Sequence, residues 1–405
     1  MSINFVLLTL DCVRPDHLGC YGYSGVETPN LDRMAASAVV FEEAFTHAPN
    51  TWVSHATVFT GCLPPVHGIR APGHLLSRDV TTVAEWFAAH GWATAAFPGT
   101  SLVGKAQGFQ RGFQLFDVDW EKEGLCTDSA FWRRNWSNTW EKILSWMNET
   151  QEPFLLWIHY MDTHHLPHLE LPDYFRTRFS PRWHYYDGKI SYADQVCVGP
   201  LVSCLEQRDI LDRTALVVFA DHGEELREDD CPRHDMGLGE DVMRVPLILS
   251  PPRRVHTWRS QRVRGLVGLV DLFPTLCEMA GLSVPDGIQG RSLWGVARRD
   301  PRGIGGPIYM ENWAKGLFGL RTKEWKLVVE HRDPPNWDNV KPSSRRLFHI
   351  ASDPAEQNDL STIHPNVVDE LYMECGRLGR GRVPEHVDAS QARDIRRALE
   401  GLGYL

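Results

Sequence analysis

No stretch of this 405-residue chain is apolar for long enough to span a membrane, and positive charge is in deficit. The formal net charge of −10 gives no support for a nucleic-acid groove, so no nucleic-acid partner is expected. An anionic small substrate would need a local positive site such as a bound metal. The nine cysteines are odd in number and lack the paired spacing of a zinc module. Reduced thiols in a cytoplasmic protein are therefore expected. The opening MSINFVLLTLD has no basic leader and no small-residue cleavage site, so it is expected to be a buried strand rather than a targeting segment. Internal repeats and low-complexity tracts are absent as well.

What is present is ordinary for a globular protein: 42% hydrophobic and 23% charged residues, enough to fill a large core. INFVLLTL, Ala93 to Phe97, PFLLWIHY and TALVVFA are apolar without polar alternation. Such runs suit strands covered on both faces, which predicts an α/β fold with helices around a mostly parallel sheet. Helices are expected near Asn30 to Ser37, over TTVAEWFAAHG and over VDLFPTLCEMAGL. After about residue 300 the texture changes to short runs, IYMENW, GLFGLRT, EWKLVVEH and RRLFHI, which predict a small antiparallel sheet. A helix around Val367 to Arg377 would cover it, and 332–345 reads as a loop. The expected division is 1–304 for the main domain and 305–405 for the smaller part.

Four stretches concentrate polar chemistry at the ends of apolar runs. Asp11 closes the first run, and Asp221, His222 and Gly223 close VVFA. In open α/β sheets, ligands bind at the carboxyl ends of strands, so the two ends could share one divalent cation. Either aspartate alone could equally cap a turn. His159, Asp162, His164, His165 and His168 crowd the end of PFLLWIHY, and His234 precedes the RVPLIL run. In APNTWVSHATVFTG, the Thr51 to Ser54 spacing puts Thr51 at a helix start, as an N-cap, an anion-site residue or both.

With these pieces assembled, the chain resembles the sulfatase family of the alkaline phosphatase superfamily. The matching stretches are VLLTLDCVRPDHLGCYGY with TPNLDRMA, AFTHAPNTWVSHATVFTG with PPVHGIR, FLLWIHYMDTHH, VVFADHGEE, RVPLIL, LVDLFPTLCEMAGL with GRSL, and RTKEWKLV with LFHIASDPAEQNDL. They follow family order along nearly the whole chain. The resemblance implies a doubly wound, mostly parallel sheet with helices on both faces, plus a small C-terminal antiparallel-sheet subdomain.

Two departures matter. Such sulfatases carry Cys or Ser in a C/S-x-P-S-R segment, where it becomes formylglycine, whereas this slot reads Thr51-Trp-Val-Ser54-His55. Threonine is not the usual precursor, and Cys62, beyond the FTG, reads as a turn residue. Cys12 also stands where many members have a second acidic metal ligand. The resemblance then implies one divalent cation, calcium or manganese before zinc, held by Asp11, Thr51, Asp221 and His222. Thr51, His164 and His234 would be catalytic, with His55, Arg70, Thr100 and Lys105 towards the substrate. The expected activity is hydrolysis of a phosphate or phosphonate ester through a covalent Thr51 intermediate. A sulfatase using an unmodified hydroxyl, a phosphoryl transferase and a binding protein without turnover are the alternatives. The expected partner is a small anionic ester, with no nucleic acid and no membrane span, and with homo-oligomerisation left open.

Overall fold

The computed structural model describes residues 3–118, 136–164, 171–179, 184–226, 234, 236–252, 260–295, 305–331, 337, 341–382 and 384–401. The expected loop at 332–345 falls mostly outside these residues, as do His165 and His168.

Nine strands make the main sheet: β1 (Asn4–Leu10), β2 (Val39–Phe45), β3 (Ala93–Phe97), β4 (Leu115–Phe116), β5 (Phe154–Tyr160), β6 (Thr214–Phe219), β7 (Arg244–Ser250), β8 (Gln261–Val263) and β9 (Val267–Gly268). Their order is β4-β3-β5-β1-β6-β7-β2-β8, with β9 also on β2. Every pairing is parallel except the two made by β7. All seven residues of β1 and of β5 are buried, as the unbroken apolar runs require. A doubly wound, mostly parallel sheet is what the sequence pattern and the resemblance led one to expect.

This topology gathers the chemistry. The C-terminal ends of β1, β5, β6, β3 and β2 lie along one edge of the sheet. Because β7 runs the other way, the chain entering it at Arg244 arrives at the same edge. Asp11, the His159 to His164 stretch, Asp221 to Glu224 and the chain leading to Thr51 therefore meet there, despite their distance in sequence.

A second sheet, β10 (Ile308–Asn312), β11 (Leu317–Arg321), β12 (Trp325–Glu330) and β13 (Ser344–His349), is antiparallel throughout. Helix Pro365–Gly379 lays Val368, Leu371 and Cys375 onto Phe318, Leu327 and Leu347, and Leu63 and Val270 of the main part join the same cluster. A buried ion pair reinforces this seam: Arg70 donates two hydrogen bonds to Glu311, at 2.7 and 2.6 Å. No helix among the described residues is long and apolar enough to cross a membrane.

Candidate active site

Thr51 is the first residue of helix α2 (Thr51–Thr60), and Asn50 rather than Thr51 occupies the N-cap position. No side chain caps this end, so its first N–H groups are available to an anion. Ser54, one turn into the helix, donates to the carbonyl of Asp221 at 2.7 Å and pins the helix to the end of β6. The Thr51 hydroxyl then lies 3.3 Å from His222 Nε2. His222 Nδ1 faces the Gly223 carbonyl at 2.9 Å and so carries the proton, which leaves the Nε2 lone pair directed at Thr51. Burial disfavours protonation of His222, but the Asp221 and Asp11 carboxylates outweigh it and raise its pKa.

Gly223 has a steric reason. A Cβ there would stand 2.1 Å from the Asp241 carbonyl, where the turn after β6 runs against the segment leading into β7.

Asp221 uses one oxygen as a local cap, accepting from the backbone N–H of His222 at 3.0 Å and of Cys12 at 3.3 Å. Its other oxygen, Oδ2, is buried, accepts no hydrogen bond and lies 3.5 Å from His222 Nε2. A buried carboxylate oxygen left this way is costly, and a cation would satisfy it. Asp11 completes the group. His159 Nδ1 accepts from Gly99 N–H at 3.3 Å, so the proton sits on Nε2 and is donated to Asp11 Oδ2 at 2.8 Å. Burial lowers the His159 pKa to about 4, which keeps this neutral tautomer. His159 therefore orients Asp11 and is not itself available to a metal.

The same logic removes a nearby constellation. His55, His159 and Asp221 offer ligand atoms close together, but His55 Nδ1 donates to the Thr51 carbonyl at 2.7 Å. His55 Nε2 is 3.2 Å from Thr9 Oγ1, and burial drives its pKa to about 3. His55 is thus a neutral, buried residue of α2 whose ring nitrogens are both engaged. Asp11, Cys12 and His222 form a further group of possible ligands on the Thr51 side.

Opposite Thr51, His164 Nε2 and His234 Nε2 face each other at 3.1 Å, and the His234 ring stacks on His222 with centroids 4.3 Å apart. His234 Nδ1 faces the Pro49 carbonyl at 3.1 Å. Burial and the neighbouring His222 hold its pKa well below the ordinary imidazole range. Of the other sequence candidates, Arg70 is held by Glu311 with its guanidinium 3.7 Å over Trp313. Thr100 caps the 3-10 turn Ser101–Val103, and Lys105 is exposed. Cys62 is a buried turn residue whose thiol donates to the carbonyls of Thr60 and Gly287.

Sequence reasoning missed three residues. Tyr186 donates to the Cys12 carbonyl at 2.6 Å and accepts from Arg14 N–H at 2.9 Å, which fixes the turn after β1. Lys189 donates to the His164 carbonyl at 2.8 Å. Glu224 is buried with neither carboxylate oxygen hydrogen-bonded. Burial lowers the Lys189 pKa and raises that of Glu224, and their mutual attraction opposes both shifts. The run HYYDGKISYA has no sharp apolar stripe, so nothing in it singled out Tyr186 or Lys189.

A family model described as Sulfatase matches residues 3–282, and one described as N-sulphoglucosamine sulphohydrolase, C-terminal, matches 236–374. Arylsulfatase K of Xenopus laevis is 30% identical over 199 residues, 46% of this chain but only 35% of that protein's length. An ulvan-active sulfatase of Formosa agariphila is 23% identical over 403 residues, covering 88% of this chain and 76% of the relative. The crystal structure of the phosphonate monoester hydrolase of Agrobacterium radiobacter shares the fold, with a TM-score of 0.72 at 18% identity over 93% of this chain and 95% of that one. These relatives are ester hydrolases.

Proposed function

The chain belongs to the sulfatase family, and from that premise we propose that it hydrolyses a phosphate or phosphonate ester with Thr51 as nucleophile. The observation that carries this reading is the Thr51 hydroxyl at an uncapped helix start, 3.3 Å from His222 Nε2 and beside the unsatisfied Asp221 Oδ2. Asp11, Thr51, Asp221 and His222 would hold one divalent cation through carboxylate, hydroxyl and imidazole atoms, with His222 Nε2 3.3 Å from Thr51 Oγ1 and 3.5 Å from Asp221 Oδ2. Carboxylate and hydroxyl oxygens favour calcium or manganese, and the imidazole also admits zinc. When bound, the cation lowers the pKa of the hydroxyl and offsets the charge of the ester.

The chain's own residues supply the rest. His159 holds Asp11 through its Nε2 proton, and the first N–H groups of α2 meet the non-bridging oxygens of the substrate. With its hydroxyl proton already lost to solvent, Thr51 Oγ1 attacks phosphorus, and the departing ester oxygen takes a proton from the His164–His234 pair. Water then opens phospho-Thr51, giving its proton back to that pair.

A sulfate ester is the second reading, favoured by the sulfatase relatives. In the formylglycine enzymes that the chain resembles, a second hydroxyl on the nucleophile lets the sulfated intermediate collapse by elimination. Thr51 has one oxygen and lacks that route, so phosphorus is preferred. Acid quenching during turnover of an aryl phosphate, followed by peptide mass spectrometry, should find phosphate on Thr51. Thr51→Ala should lose activity by about a thousandfold or more while remaining folded. An unmodified Thr51, or a Thr51→Ala protein with full activity, would refute the assignment.

A further inference from the structure

Cys12 is an odd residue for its place. Its φ of 57° lies in the left-handed region, which favours glycine and tolerates asparagine and aspartate better than cysteine. Tyr186 holds the turn from its carbonyl, so the conformation is enforced. Strain of this kind at a buried position points to a task for the side chain. The Cys12 thiol is wholly buried, and its Sγ lies with one nitrogen each of His164 and His234 so that all three atoms are within 4.8 Å of one another.

We propose that Cys12, His164 and His234 form a second cation site, selective for a borderline-soft divalent metal of the zinc type. The two imidazoles already present Nε2 to Nε2 at 3.1 Å. In a tetrahedral zinc site with Zn–N bonds of about 2.05 Å, two nitrogens stand roughly 3.3 Å apart, so a few tenths of an ångström of opening suffices. On His234 the proton faces the Pro49 carbonyl at 3.1 Å, which leaves Nε2 as the ligand atom. The surroundings favour positive charge. Asp11 accepts from the Cys12 thiol at 2.9 Å, and the buried Glu224 has neither oxygen hydrogen-bonded. On binding, the thiol proton leaves to solvent and sulfur coordinates as thiolate.

A carboxylate in place of Cys12 would extend the hard, oxygen-rich set around Thr51, whereas sulfur with two imidazoles selects a softer ion. The two sites adjoin through the stacked rings of His222 and His234. Three protein ligands leave a fourth position open. Its assignment to the leaving oxygen of the substrate, where the cation would replace proton donation by the histidine pair, rests on the proposed reaction. The site itself does not.

Cobalt(II) tests this on the full chain stripped with chelator. Titration should develop a saturable near-ultraviolet thiolate-to-cobalt charge-transfer band at one thiolate per chain. Cys12→Ser and Cys12→Asp should lose the band, Cys20→Ala should keep it, and His234→Ala should weaken cobalt binding tenfold or more. Asp221→Asn should retain the band, because that residue serves the other site. Circular dichroism run in parallel restricts the comparison to folded variants. Absence of the band in the wild-type protein, its survival in Cys12→Asp, or its loss in folded Asp221→Asn would overturn a separate soft site. A band in a protein that turns over no phosphorus ester leaves this site standing and counts against the proposed reaction alone.

Discussion

Thr51 Oγ1 and His222 Nε2 lie 3.3 Å apart although 171 positions separate them in the chain. The relationship depends on three things: the parallel run of β2 and β6 towards one edge, the Ser54 to Asp221 hydrogen bond, and the tautomer fixed by the Gly223 carbonyl. None of these needs a ligand, so the fold itself places the Thr51 hydroxyl beside His222.

Asp221 is expected to trade stability for binding. Its Oδ2 is buried without a hydrogen bond, so the ion-free protein carries an uncompensated acceptor. Asp221→Asn should leave the midpoint of thermal unfolding in chelator unchanged or higher. It should also abolish the rise in midpoint that calcium or manganese gives the wild type. A variant that melts lower in chelator and still responds fully to metal would contradict the assignment.

Arg70 is expected to act on stability. Its fork is buried against Glu311 at the seam between the two sheets, and Tyr309 donates to the same carboxylate at 2.7 Å. Arg70→Met leaves that carboxylate buried without its partner, a loss of about 3–5 kcal/mol. Chemical denaturation should read this loss, while KM of the surviving folded enzyme stays within about twofold. A large rise in KM with unchanged stability would instead place Arg70 at the substrate.

Acid sensitivity is expected from buried neutral histidines. His47 is buried with Nδ1 donating to the Tyr309 carbonyl at 2.7 Å, and burial lowers its pKa from 6.5 to about 4. The folded pKa lies below the unfolded one, so this contribution is complete above pH 6.5 and is lost as pH falls towards 4. Across that window each such histidine takes away at most about 1.4 kcal/mol per pH unit. Denaturation in chelator from pH 7 to pH 5 should show the decline, and His47→Asn should make it shallower. A pH-independent wild type over that range would sink the prediction.

These tests also separate what could be read in the sequence from what could not. β1, β5 and β6 were legible because their runs are buried on both faces. β2 was not, since Glu42 and Glu43 interrupt VVFEEAF, and the partners that accommodate Glu42, Arg262 and Arg264, lie some 220 positions away. Asp11, Asp221 and His222 stood out because each adjoins the end of an apolar strand. For Arg70 the residue type was suggestive, but its ion pair with Glu311 is a long-range fact that local sequence does not encode. Thr51 was placed at the right helix end, though one position inside the cap, because Asn50 and Thr51 are both good N-terminal residues.

The most direct test compares phosphorus with sulfur on one metal-loaded preparation. An aryl phosphate ester, an aryl phosphonate monoester and an aryl sulfate sharing a leaving group would be followed to many turnovers. A single-hydroxyl nucleophile predicts repeated turnover of the phosphorus esters and, with the sulfate, no more than one equivalent of released phenol per chain. Sustained turnover of the aryl sulfate by protein whose Thr51 is unmodified, faster than the matching phosphorus esters, would contradict it.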